Sequence, residues 1–363
     1  MSKKIFIVLL ITFFCIIFIY YSNSSLKLTL NKSLSDNVKK YVDKSVGVEL
    51  SYVDGNNIYG HFYNSQANNI VLETKGLFSY NIKTSEFVYY GYEESKRIMT
   101  FYLMNNIFYY VILEENGDKY HWELAMANEK FNNVKRLKSG NIESPLNYPR
   151  ILYNDKNSIY FLSIDDINEE KQQFQFDLIK DSNIFNLKNE VGNKKHKEGN
   201  LLFNISNVYI EKNYIYYTIV DENSVQYLKS FNVINQEETT IYENKDYDKI
   251  LYNYKVLNDG IYIQLALKNE DNKSYFVYIR NNDEIINKKG DLKTLDIKSS
   301  SCIIFHNQTN SIEIFSEKKL RLYRKNVKQA DMYPKYLIVN DKILMQDFSN
   351  QFYLSGLIKK ICN

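Results

Sequence analysis

Asp54-Gly55-Asn56-Asn57-Ile58-Tyr59 and Asn258-Asp259-Gly260-Ile261-Tyr262-Ile263 share one order, a turn followed at once by a short apolar and aromatic run. The same order recurs around Ile107, Ile159, Ile215, Ile312 and Ile343. Those isoleucines stand about 49, 52, 56, 46, 51 and 31 positions apart, and a spacing of about 48 is the length of one four-stranded blade. The chain from residue 48 to 363 therefore reads as an all-β propeller of about seven four-stranded blades. A closed repeat structure of this kind takes up 363 residues as one cooperative unit.

Period-two patterning supports strands inside each unit. Tyr120, Trp122, Leu124 and Met126 alternate with His121, Glu123 and Ala125. Leu77 to Ile82 and Phe87 to Tyr90 read as a hairpin across the polar turn Lys83-Thr84-Ser85-Glu86, and Leu228 to Ile234 with Thr239 to Tyr242 repeat it. The chain has only 12 Gly and 3 Pro, so Asn and Asp must take many of the left-handed turn positions.

The N-terminus has a different character. Lys3 and Lys4 precede Ile5 to Tyr21, an unbroken apolar run just long enough to cross a hydrocarbon core. The lysines should remain inside, which exports the remainder. Residues 1–25 therefore read as a retained anchor at the cell membrane, and cleavage after it would leave a secreted domain. Residues 26–47 form a juxtamembrane segment. Within it Leu26-Lys27-Leu28-Thr29-Leu30 alternates as a strand would, and Ser33 to Lys44 carries a short helical pattern. The last unit has room for too few strands, so this N-terminal strand either completes it or serves as a stalk.

Tyr148-Pro149-Arg150-Ile151-Leu152-Tyr153-Asn154-Asp155 leads into Ile159-Tyr160-Phe161, and Tyr333-Pro334-Lys335-Tyr336-Leu337-Ile338-Val339-Asn340-Asp341 leads into Ile343-Leu344. In both, a proline, an apolar strand, an Asp-containing turn and a second strand follow in order. This resembles the repeat of TolB-like and related bacterial extracytoplasmic β-propeller proteins. The resemblance implies the fold and carries over no functional residue.

Linear motifs for chemistry are missing. No G-x-S-x-G, G-x-x-x-x-G-K-[ST] or G-x-G-x-x-G occurs. His61, His121, His196 and His306 are scattered, so the sequence names no catalytic, cofactor or metal residue. Asp165, Asp166, Glu169 and Glu170 form an acidic group whose ordinary reading is a solvated loop, and Lys194-Lys195-His196-Lys197 reads likewise. Lys318 to Lys325 alternates as a charged edge strand. Cys15 lies within the apolar run, so only Cys302 and Cys362 could pair if the domain is exported and their Cα atoms come within about 7 Å; the alternative is two small buried hydrophobes. A net charge of +3 makes no case for nucleic acid. The expected role is a membrane-anchored binding or scaffolding module for an envelope protein or glycan, without a cofactor. An envelope enzyme acting on glycans, or a sensor signalling through a membrane partner, are the alternatives.

Overall fold

The computed structural model describes residues 28–355 except 66–72, 95, 146–147, 156–157, 167–170, 181, 194–207, 212, 222, 224, 271–272, 282, 292–293, 300–301, 308–310, 317–319, 327–334, 340–341 and 348. Six sheets each consist of four consecutive antiparallel strands. The first holds Val46–Asp54, Asn57–Asn64, Thr74–Asn81 and Phe87–Gly91, and the second Arg97–Met104, Ile107–Asn116, Lys119–Asn128 and Lys135–Ile142. The third runs from Arg150–Asp155 through Ser158–Asp166 and Lys171–Lys180 to Asn183–Asn193, and the fourth from Tyr209–Glu211 through Tyr214–Val220 and Gln226–Asn232 to Glu238–Asn244. The fifth comprises Lys249–Val256, Ile261–Leu267, Lys273–Arg280 and Asp283–Asp291, and the sixth Thr294–Ser299, Cys302–Asn307, Ser311–Ser316 and Arg321–Asn326.

The expectation of seven like blades needs a correction. Six are built from consecutive strands, and a further four-stranded sheet is composite, with Lys335–Val339, Lys342–Gln346 and Phe352–Ser355 completed by Leu28–Leu30 from the other end of the chain. Its outer strand is not the next one in sequence but Leu28–Leu30. The sheet system thus takes in residues ahead of position 48. The apolar run Ile5 to Tyr21 lies outside the described residues, and no helix among the described residues is long and apolar enough to cross a membrane.

Helix α1 (Lys32–Val38) follows the N-terminal strand directly. Asn31 caps it by accepting from Leu34 N at 3.1 Å. Leu34 and Val38 are fully buried against Val48, Leu50, Phe62, Leu344 and Phe352, in the seam between the composite sheet and the first blade. Burying two such side chains contributes about 1.5–3 kcal/mol each.

Every buried cluster lies at such a seam, which is what makes the arrangement radial. Leu77, Tyr90, Phe101 and Phe108 join blades one and two, and Trp122, Leu124, Phe161 and Ile179 join two and three. Phe176 meets Tyr217 and Phe231, Leu228 meets Leu251 and Ile263, and Tyr262 and Tyr278 meet Phe315. Both faces of an inner blade are therefore covered. The alternation in Lys119–Asn128 does not separate a dry face from a wet one: Trp122 faces blade three while Ala125 and Ala127 face blade one.

Turn chemistry follows the sequence. Asn105 and Asn106 both take positive φ, 52° and 62°, in the two-residue link between Met104 and Ile107. The hairpins after Asn81 and Asn232 are copies of one another. Each asparagine side chain accepts from the backbone two residues on, at Lys83 N (3.0 Å) and Ile234 N (2.9 Å), and Ser85 and Gln236 each take φ of 59°.

Polar side chains cross the seams with matched partners. Thr74 Oγ1 accepts from Ile98 N at 2.9 Å, Gln226 Oε1 accepts from Leu251 N at 2.6 Å, and Gln346 Nε2 donates to Val48 O at 2.9 Å. Lys138 Nζ reaches from blade two to Asp177 Oδ2 (2.7 Å), Ser163 Oγ (2.9 Å) and Gln175 Oε1 (2.5 Å) in blade three. The Asp177 side chain is wholly buried. Removing one member of a buried pair strands the other, whereas replacing both with apolar groups does not. Asp177→Ala is expected to cost about 3–5 kcal/mol in chemical denaturation, and Lys138→Met with Asp177→Leu to recover only part of it, because Ser163 Oγ and Gln175 Oε1 lose the same donor.

Glu238 pins blade four to blade three in the same way, with Lys188 Nζ and Lys229 Nζ each 2.6 Å away and Tyr217 donating its hydroxyl. Burial alone would raise the Glu238 carboxyl, but these three donors outweigh it and lower it from 4.5 to about 2. Because the folded-state value is the lower one, this stabilisation is fully present above pH 4.5 and is lost as pH falls toward 2. Glu238→Gln is expected to lower Tm at pH 7 and to leave a shallower fall in Tm between those limits.

Candidate functional site

The innermost strand of each blade faces the axis, and in five blades it carries a β-bulge at the same place. The extra residues are Ser51, Met99, Leu152, Tyr252 and Asp296. A bulge adds one residue opposite a single partner, bends the strand and re-aims nearby side chains. The residue before each bulge is aliphatic, Leu50, Ile98, Ile151, Leu251 and Leu295 in turn. One position earlier stand Glu49, Arg97, Arg150, Ile250 and Thr294. The first three are charged and belong to successive blades, so the register gathers them into one layer around the axis.

That layer borders a cavity of about 1190 Å³ bounded by the inner strands of blades one to three. Its wall includes Glu49, Ser51, Tyr52, Asp54, His61, Arg97, Thr100, Tyr102, Asn105, Tyr148 and Arg150. Glu49 Oε2 lies 3.8 Å from both Arg97 Nη2 and His61 Nε2. His61 stands directly across the ladder from Glu49, and its Nδ1 is 3.1 Å from Ser51 Oγ.

Arg97 sits over the Tyr63 ring at 5.3 Å, and Tyr63 in turn packs on Gly47, where an added Cβ would come within 2.5 Å of the ring. A glycine is needed there for the ring to lie flat beneath the guanidinium. Burial pulls the Arg97 guanidinium below its ordinary value, while Glu49, Tyr63 and Tyr148 act in the opposite sense. An arginine stays charged under either influence. Arg150 lies over the Tyr148 ring at 4.7 Å and makes no ion pair among the described residues. Arg97 Nη1 and Arg150 Nε are buried donors with no acceptor among the described residues.

The cavity floor is aromatic. Tyr52 is stacked between Tyr59 (4.5 Å) and Tyr102 (4.7 Å), and its hydroxyl accepts from Leu103 N of the next blade at 3.0 Å. Burial raises the Tyr52 hydroxyl well above its ordinary value, with the Leu103 bond acting against it. This stack fixes the spacing of the first two blades at the cavity.

Sequence reading placed its candidates elsewhere. Asp165 and Asp166 end the second strand of blade three, and their side chains, with Glu169 and Glu170, lie outside the described residues, as does Lys194 to Lys197. Cys302 opens the second strand of blade six and Cys362 lies outside the described residues, as does Pro334. His121 is in blade two, bonded to Asn141 at 3.1 Å, while His306 takes in blade six the ladder position that His61 takes in blade one. Arg321–Asn326 is the outermost strand of its sheet. Among the described residues no group of His, Cys, Asp and Glu could hold a metal ion. The missed signal is the aligned set Glu49-Leu50-Ser51, Arg97-Ile98-Met99 and Arg150-Ile151-Leu152.

Several solved structures are similar to this chain. An oligogalacturonate lyase from Vibrio parahaemolyticus superposes with a TM-score of 0.53 at 8% identity, covering 92% of this chain and 97% of that one. A prolyl endopeptidase gives 0.52 at 10% identity, covering 85% of this chain and 48% of that one. The likeness is one of fold, a β-propeller. A virginiamycin B lyase from Staphylococcus aureus gives 0.48 at 11% identity, covering 92% and 99%. No protein-family model and no curated protein sequence matches the chain.

Proposed function

We propose that this chain is a TolB-like extracytoplasmic binding propeller, held at the membrane by its N-terminal apolar segment, whose small polar ligand sits in the cavity on blades one to three. The observation that carries this reading is the layer Glu49, Arg97 and Arg150, three charges brought to equivalent places on successive inner strands. Charged groups in a partly dry cleft are costly unless something offsets them, and Arg150 has no carboxylate beside it among the described residues. Export is supported by Lys3 and Lys4 ahead of Ile5 to Tyr21.

Binding is preferred over the enzyme alternative on geometry. Ser51 and His61 form a hydroxyl–imidazole pair, but the acid that would orient the imidazole lies 3.8 Å away, beyond hydrogen-bond range. The test is ligand retention. The full chain, purified in detergent and incubated with an envelope saccharide extract, is expected to release an unaltered small molecule on denaturation, as read by mass spectrometry. Thr100→Trp, which places an indole at the cavity wall, is expected to lose that molecule with Tm changed little. Equal retention by the variant would place the ligand elsewhere, and recovery of a cleaved product would favour the enzyme.

A further inference from the structure

We propose that the ligand of this cavity is a monoanionic sugar acid whose carboxylate is clamped between Arg97 and Arg150. The inference rests on the cavity reading above and names the ligand's chemistry.

Charge comes first. The layer holds one carboxylate, Glu49, beside Arg97, and two guanidiniums, which leaves a single positive charge uncompensated. Asp54, the other carboxylate of the wall, lies across the Ser51 bulge on the same strand, roughly 13 Å from Glu49, and makes no ion pair with Arg97 or Arg150 among the described residues. A single excess charge matches a carboxylate better than a phosphate dianion.

Geometry adds a second argument. The inner strands of blades two and three are neighbours, and Tyr148 links the two cations, with its ring beneath Arg150 and its hydroxyl acting electrostatically on Arg97. Stacking of that kind fixes the plane of a guanidinium, and a fixed fork presents paired N–H groups to the two oxygens of a carboxylate. Arg97 Nη1 and Arg150 Nε are buried donors without an acceptor among the described residues. Glu49 acts as a positioning residue for Arg97 rather than as a ligand to the anion.

The rest of the wall suits a polyhydroxylated ring. Ser51, Thr100, Tyr102, Asn105 and Tyr148 supply hydroxyl and amide groups beside aromatic surface. Such a lining meets sugar hydroxyls and one ring face together.

The experiment is calorimetric titration of the full chain in detergent at low salt with sodium D-glucuronate, D-glucose and inorganic phosphate as probes. Glucuronate is expected to bind with Kd below about 1 mM, and glucose and phosphate at least about tenfold more weakly. Arg97→Gln and Arg150→Gln should each weaken glucuronate by about tenfold or more, the scale of one charge-assisted hydrogen bond, without changing the residual glucose affinity. Lys289→Gln on blade five, remote from the cavity, should change nothing. Equal affinity for glucose and glucuronate, tighter binding of phosphate, indifference to Arg150→Gln, or no glucuronate binding up to about 10 mM would each overturn the clamp. If any of these occurs while Thr100→Trp still abolishes retention of the extracted molecule, the cavity reading stands and only the sugar-acid assignment falls.

Discussion

The structure depends on one joint, the pairing of Leu28–Leu30 with Phe352–Ser355, which ties the two ends of the described chain into a single sheet. A radial stack of sheets leaves an open seam unless first and last are bound together, and a three-stranded last sheet would expose a row of unpaired backbone groups. The joint is sealed at several levels. Asn31 N donates to Phe352 O at 2.7 Å where the ladder ends, and Ser35 Oγ takes the Phe352 N–H at 3.1 Å as the chain turns into α1. Leu34 and Val38 then fill the seam, and Gln346 bonds across it to Val48 O. Strand, cap, helix and side-chain bond all act on the same boundary.

Once the ring is closed, the inner strands are held side by side and their register becomes functional. The bulge after Leu50, Ile98 and Ile151 keeps the aliphatic residue in the seam and frees the charged neighbour two positions before the bulge to face the axis. The same device thus serves packing and the site. The stack of Tyr59, Tyr52 and Tyr102 and the Tyr52–Leu103 bond set how far apart blades one and two stand, and so where Arg97 sits relative to Glu49. Ring closure therefore governs the cavity although the joint contributes no group to it.

Much of the architecture was legible because burying a strand on both faces demands an apolar run, and a tight hairpin demands Asn, Asp or Gly. Ile58, Ile107, Ile159, Ile215, Ile261 and Ile343 all fall on the second strand of their sheets. The sixth unit was misphased. Ile312 lies in the third strand, and the matching residue is Ile303, 42 positions after Ile261 and 40 before Ile343. The link ahead of Ile303 is Ser-rich, Ser299-Ser300-Ser301, whereas Asn307-Gln308-Thr309-Asn310 ahead of Ile312 carries the asparagines that marked the other turns.

The charged layer was not legible. Glu49, Arg97 and Arg150 share no motif, are about fifty residues apart, and look like ordinary strand-end charges until the bulges align them. In sequence His61 is one of four scattered histidines, since its closeness to Ser51 and Glu49 is a cross-strand relation that linear spacing does not encode. The acids that do cluster in sequence, Asp165 and Asp166, end the second strand of blade three, while the charged layer stands on the first strands. Local order, in short, reports turns and strands, while this site is a property of register between blades.

The central claim is the joint between the chain ends, and a cross-link tests it most directly. Leu30 and Tyr353 are opposite one another, next to the hydrogen-bonded Asn31–Phe352 position, and such a non-bonded pair brings Cα atoms to about 4.5 Å, within disulfide range. With the native cysteines replaced by serine, Leu30→Cys with Tyr353→Cys should oxidise nearly completely in the folded chain and raise stability by up to about 5 kcal/mol on closing so long a loop. Failure of the pair to cross-link while the chain remains folded would contradict the account.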